Sequence, residues 1–126
     1  MSARPRDEWN DGPRLTDAGA RFRVWAPKAR SVEAVIERDG EMTFHPLRRL
    51  ADGMYEGVVA GAAGGVRYRY RLDGEASFPD PCSRFQPAGV HGPSELVDAA
   101  AFHWTDDAWP GLDLDRLVIY ELHVGA

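Results

Sequence analysis

"VRYRYRL" occupies residues 66–72, and its alternation is the clearest structural signal in the chain. Val66, Tyr68, Tyr70 and Leu72 fall on one side of an extended backbone, with Arg67, Arg69 and Arg71 on the other. Successive side chains of a β-strand point to opposite faces, so the pattern sets one face in a core and one in water. A helical period would mix the two sets on every face.

The same period runs upstream. "RFRVWAP" (21–27) groups Phe22, Val24 and Ala26 against Arg21, Arg23 and Trp25, and "SVEAVIE" (31–37) groups Val32, Ala34 and Ile36 against Glu33 and Glu37. "MTFHPL" and "MYEGVVA" are weaker strands of the same kind. Pro46 lacks an N–H for a ladder, which places the first of these at a sheet edge. "APKA", "RDGE", "ADG", "GAAGG" and "LDGE" punctuate the runs. Asp39-Gly40 and Asp73-Gly74 suit two-residue hairpins, where both central residues take positive φ. Short strands at this spacing, with no amphipathic helix between them, predict an all-β sandwich.

After Phe78 the pattern breaks. "FPDPCSRFQPAGVHGPSELVD" (78–98) holds four prolines and two glycines, which excludes a regular element. Its Arg, Phe, His and Val content differs from a flexible linker, so it is expected to pack on something, with extended backbone through Leu96 and Val97. A second loop, "FHWTDDAWPGLDLDRL" (102–117), offers Trp104 and Trp109 as anchors. "LVIYELHVGA" (117–126) then opens like a buried strand that needs neighbours on both sides. Leu117–Tyr120 are expected to fold back on the sandwich, pair with another chain, or lack order.

Composition bounds the function. The chain has 126 residues, 28% of them charged, and a formal net charge of −5. The basic residues are dispersed among acids, which argues against a nucleic-acid surface. No apolar run spans a membrane, and "MSARPRDEWNDGPR" lacks the apolar stretch of a secretory signal. The single cysteine, Cys82, excludes an internal disulfide and a thiolate metal cluster, and a reducing cytoplasm is the expected setting.

Three of these stretches carry a resemblance. "FRVWAP" (22–27) before a small β-domain is similar to the N-terminal domain of the α-glucan enzymes of glycoside hydrolase family 13. "PDPCSRFQPAGVHGPSELVD" (79–98) resembles the connecting segment of the trehalohydrolase branch of that family, and "VIYELHVG" (118–125) resembles the first strand of its catalytic barrel. Cys82 stands where a small or polar residue is usual, and Ala126 where threonine is common. The resemblance implies an immunoglobulin-like, early-set β-sandwich with an irregular Pro-rich C-terminal connector, of the type also classed with family 48 carbohydrate-binding modules. Its implied divisions are a flexible N-terminus over 1–11, a sandwich over 12–79, a connector packed on the sandwich over 80–115, and a truncated first strand of a (β/α)8 barrel over 116–126.

The implied function is that of a non-catalytic accessory domain, from a parent glycoside hydrolase that releases trehalose from maltooligosyltrehalose. The alternatives are an autonomous α-glucan-binding module, or the same domain of a branching or debranching enzyme. The expected partners are the parent's own barrel and an α-glucan or maltooligosaccharide, with no nucleic acid, no membrane, no cofactor and no metal. Retaining glycoside hydrolysis needs two carboxyl groups about 5–5.5 Å apart. In the family these sit on later barrel strands, so this chain alone is expected to be inactive. Its acidic residues fall mostly in turns and on polar strand faces.

Candidate chemistry within the chain is sparse. Glu121 and His123 share a strand face by their spacing, yet a structural role suits them better than a base with its orienter. His45, His91 and His103 lack ligand spacing. Cys82 reads as an inert or partly exposed thiol. Trp25, on the outward face of its strand, with Tyr55 from another strand, is the candidate glucan contact, since sugar rings stack apolar C–H faces on aromatic rings.

Overall fold

The computed structural model describes residues 11–125. The expectation of a flexible segment over 1–11 falls, apart from Asp11, outside the described residues. Two antiparallel sheets make the fold. β1 (Arg14–Thr16), β2 (Gly19–Trp25), β5 (Arg48–Arg49) and β6 (Met54–Ala60) form one, in the order β1-β2-β6-β5. β3 (Val32–Arg38), β4 (Glu41–Pro46), β7 (Arg67–Leu72) and β8 (Ser77–Phe78) form the other, in the order β4-β3-β7-β8, and β9 (Ser94–Glu95) also pairs with β7. This is an immunoglobulin-like sandwich, as the alternation and the resemblance imply.

The alternating residues meet in the middle. Phe22, Tyr68 and Tyr70 are buried, with ring centroids 5.0 to 6.4 Å apart in edge-to-face contact, a geometry the ring quadrupoles favour. Val24, Val32, Ala34, Ile36 and Val59 complete the layer. Asp39 (φ 51) and Gly40 (φ 80) form the β3–β4 hairpin, and Asp73 (φ 53) and Gly74 (φ 73) the turn after β7. The Asp73 carboxylate accepts from the Arg30 and Ser31 amides at 2.7 and 2.9 Å, which ties that turn to the start of β3.

β4 is an edge strand, as Pro46 demands. Its pattern is reversed, however. Thr43 pairs with Ile36 and His45 with Ala34, while Met42 pairs with Glu37 and Phe44 with Val35. Cross-strand partners share a face, so the polar residues of β4 face the space between the sheets. On the outside, the Arg71 guanidinium lies 4.0 Å from the Phe44 ring centroid and bonds the Glu33 carboxylate at 2.6 Å. Val35, on the same outer face of β3, is buried and has Phe44 and Arg69 as its cross-strand partners.

The connector is joined to the sandwich at residues 94–96. Residues 94–95 add a strand to β7, and the Leu96 N–H donates to the Val66 carbonyl at 2.9 Å. Beyond Asp98 the outcome differs. Phe102 and Trp104 touch each other at 4.8 Å, but they and Trp109 remain exposed and do not anchor the loop. Leu117–Tyr120 neither pair nor fold back, and Val118 is 95% exposed. An isolated extended segment gains no ladder bonds, so nothing offsets the entropy of holding it against the sandwich.

Candidate functional site

The "VWAP" stretch is built around a turn. Trp25 ends β2, and its indole N–H donates to the Asp52 carbonyl at 2.9 Å. The next amide, Ala26, donates to the Gly53 carbonyl at 2.9 Å. Pro27 then lies so close to Gly53 that a Cβ there would sit 2.6 Å from the Pro27 Cα. Gly53 also has φ +78, so both backbone shape and space require glycine. Tryptophan, alanine and proline are thus used in succession against residues 52 and 53.

The indole ring is held by its edge, and the residue is 64% exposed. Beside it lies a groove of about 410 Å³, lined by Asp11, Val24, Trp25, Met54, Pro81 and Cys82. A fixed aromatic face with a carboxylate at the rim suits a sugar, which offers apolar C–H faces and peripheral hydroxyls. Tyr55 does not share this surface. It pairs with Val24 on the inner face, is 1% exposed, and donates its hydroxyl to the Ala29 carbonyl at 2.7 Å. Trp25 pairs with Met54 instead. Adjacent residues on a strand alternate faces, which is why the Trp25–Tyr55 platform does not form.

Behind the groove is a feature that sequence reasoning missed. Asp80, in "PDP", is a buried carboxylate, 4% exposed. It accepts the Tyr68 hydroxyl at 2.7 Å and the Cys82 N–H at 2.7 Å, while its own N–H donates to the Ser94 hydroxyl at 3.0 Å. Arg84 braces the same region by donating to the Pro13 carbonyl at 2.7 Å. Burial raises the Asp80 pKa above the usual carboxylate range, and the Tyr68 and Cys82 hydrogen bonds oppose that shift. The Tyr68 and Tyr70 hydroxyls are pushed up as well, by burial first and then by the Asp80 charge. The signal available in sequence was an acid between two prolines where the alternation gives way to the connector.

The remaining sequence candidates lie apart. The Cys82 thiol is raised by burial and by the charges of Asp80 and Asp11, so it is a poor nucleophile at neutral pH. His45 lies 2.9 Å from the Thr43 hydroxyl on β4, and the His91 carbonyl accepts from Arg69 in the connector. His103, Glu121 and His123 sit in the exposed stretch after residue 98. Among the described residues, no group of three or more His, Cys, Asp or Glu side chains is placed to hold a metal ion.

Two packed antiparallel sheets carrying an exposed, edge-fixed tryptophan define the class as an immunoglobulin-like β-sandwich module. The model of carbohydrate-binding module 48, the isoamylase N-terminal domain, matches residues 9–95, and the chain belongs to that family. It is 41% identical over 121 residues to a malto-oligosyltrehalose trehalohydrolase of Deinococcus radiodurans, covering 96% of this chain and 19% of that protein. The chain therefore spans about a fifth of the relative's length. Among solved structures, it is similar to a Salmonella typhimurium chain provisionally called an alpha amylase (TM-score 0.75, 31% identity, 91% of this chain and 19% of that one). It also resembles the maltotriose complex of Klebsiella pneumoniae PulA (TM-score 0.62, 31% identity, 73% of this chain and 11% of that one).

Proposed function

We propose that the chain is the non-catalytic N-terminal accessory domain of an α-glucan-active glycoside hydrolase, and that the parent releases trehalose from maltooligosyltrehalose. The observation that carries this is the 41% identity across 96% of the chain, running through the sandwich and the connector alike. The buried carboxylate Asp80 is committed to holding the connector, which leaves it without access to a glycosidic oxygen. Residues 117–125 fit the same proposal as the first strand of a catalytic barrel, since their exposed apolar side chains are those a parallel sheet covers. The parent's setting is proposed to be the cytoplasm.

Within this role, the Trp25 groove is the domain's proposed contact with α-glucan. The exposed indole supports it, as does the match to the model of carbohydrate-binding module 48. Calorimetric titration of the chain with maltoheptaose tests the assignment. Saturable binding lost in Trp25→Ala is expected. No binding would leave a purely structural accessory domain, and trehalose release by this chain alone would overturn the non-catalytic assignment.

A further inference from the structure

Four Asp-Gly pairs lie in the chain, at residues 11–12, 39–40, 52–53 and 73–74. An aspartic acid side chain can react with the amide of the next residue, and glycine hinders that approach least. The glycine nitrogen attacks the carboxylic acid at Cγ. A C–N bond forms, a C–O bond breaks, and the hydroxyl leaves with the amide proton as water, giving a cyclic succinimide. Solvent water then reopens the ring. Attack at the side-chain carbonyl restores aspartate, and attack at the main-chain carbonyl gives isoaspartate, whose main chain runs through Cβ and Cγ. One water leaves and one returns, so no co-reactant beyond solvent is needed.

Ring closure needs an unengaged carboxyl group and a peptide that can turn, and three of the pairs are denied one or the other. The Gly12 amide donates to the Arg23 carbonyl at 3.2 Å, and Gly12 is buried. The 52–53 peptide is clamped, because the Asp52 carbonyl accepts the Trp25 indole N–H and the Gly53 carbonyl accepts the Ala26 amide, both at 2.9 Å. The Asp73 carboxylate accepts two amides, and its own N–H donates to the Ser31 carbonyl at 3.0 Å. Those carboxylate bonds also lower the Asp73 pKa, which depletes the acid form that reacts. Asp39–Gly40 differs on every count. Residues 38–41 are exposed, and a Cβ on Gly40 would meet no atom within 4 Å. Among the described residues, no hydrogen bond engages the Asp39 carboxylate or its peptide to Gly40. The pair tips a hairpin whose second strand, β4, is held along one edge only, so the tip opens at low cost.

We propose that Asp39 is a site of spontaneous covalent modification, converting to isoaspartate, and that the fold selects it from four Asp-Gly pairs. The conversion adds one main-chain carbon to a two-residue turn whose span is set by Arg38 pairing with Glu41. The modified turn no longer fits that span, so the end of β4 beside it loosens. Arg38, which donates to the Gly61 carbonyl at 2.8 Å, holds β3 in place, so the change stays local. Isoaspartate keeps its carboxylate, and the effect is on the shape of the hairpin and not on its charge.

Prolonged incubation of the folded chain at neutral pH, followed by peptide mapping with electron-transfer fragmentation, tests it, since that fragmentation separates isoaspartate from aspartate at equal mass. A parallel incubation in urea gives the rate of each pair with the fold removed. In the folded chain isoaspartate should accumulate at residue 39 at least about tenfold faster than at residue 73, where two charge-assisted hydrogen bonds must first break. Residues 11 and 52 should also lag behind 39, and in urea the preference should disappear. Hydrogen exchange at residues 38 and 41 should be faster in the modified chain than in the unmodified one. Equal accumulation at 39 and 73 in the folded chain would overturn the proposal. A preference for 39 that survives in urea would overturn selection by the fold, and unchanged exchange in the modified chain would overturn the loosening of β4.

Discussion

Residues 79–98 and 99–125 are both irregular, proline-containing and supplied with aromatic side chains, yet the first is anchored to the sandwich at Asp80 and at residues 93–96 while the second is exposed. The difference does not track aromatic content. The second stretch has the larger apolar side chains, with Trp104, Trp109, Ile119 and Tyr120. What the first has is backbone and side-chain hydrogen bonding at defined points: Asp80 beneath Tyr68, Ser94 beneath Asp80, and β9 in register with Arg67 and Tyr68. Apolar side chains stabilise a segment only where a complementary surface meets them, and the second stretch rests its own against none of the strands.

Removing the carboxylate is the severest way to break this contrast. Asp80→Ala leaves the Tyr68 hydroxyl and the Cys82 N–H without their acceptor, at a cost of about 3 kcal/mol. Urea denaturation should show the loss, and limited proteolysis should cut within 81–93 first. An unchanged midpoint would mean that the connector docks by some other contact. Asp80→Asn keeps an acceptor and removes the buried charge, so it should lose less than half as much.

Acidity offers a subtler lever. The folded-state pKa of Asp80 lies above its ordinary value of 3.8, so the folded protein holds this proton more tightly than the unfolded chain. Its contribution to stability is therefore full below about pH 3.8 and declines as pH rises through the folded-state value. Glu33 and Asp73 run the other way. Arg71 lowers the first, chiefly by hydrogen bonding, and the Ser31 and Arg30 amides lower the second. Their contributions are present above the ordinary carboxylate values and are lost as pH falls through the lowered ones. Denaturation across pH 2–7 should show a steeper rise in stability with pH for Asp80→Asn than for the parent sequence. A parallel curve would contradict the buried carboxylate.

The exposed stretch should yield the smallest effects. Trp109→Ala is expected to change unfolding free energy by no more than about 0.5 kcal/mol, and a chain ending at Asp98 should keep its midpoint within a similar margin. A clear loss in either, measured in the same urea experiment, would show that the second stretch docks after all.

The legible part of the fold was the part governed by period two. Val66–Leu72 and Phe22–Ala26 declare their faces because each strand has one partner layer and one solvent layer. The Asp-Gly pairs declare their turns through positive φ. β4 was legible as an edge but not as reversed, because alternation shows which residues share a face and not which way that face points. Trp25 was identified as outward. Its supposed partner Tyr55 was misplaced, since the register of β2 against β6 depends on a pairing that no local pattern specifies. Asp80 was unreadable for a related reason: an acid looks solvated until the fold brings Tyr68 and Ser94 to it.

β8 and β9 lie on the same edge of β7, one against Tyr70 and Arg71 and the other against Arg67 and Tyr68. In mechanical terms, β9 is a fuse. A pull on the chain beyond residue 98 first meets the buried Leu96, with its backbone bonds to Gly65 and Val66, then the two residues of ladder, and the load next reaches the Ser94–Asp80 hydrogen bond. The seven-residue pairing of β2 with β6 stays unloaded until those have parted. Tension on the exposed stretch is thus released in the connector, and the sandwich that carries Trp25 keeps its shape.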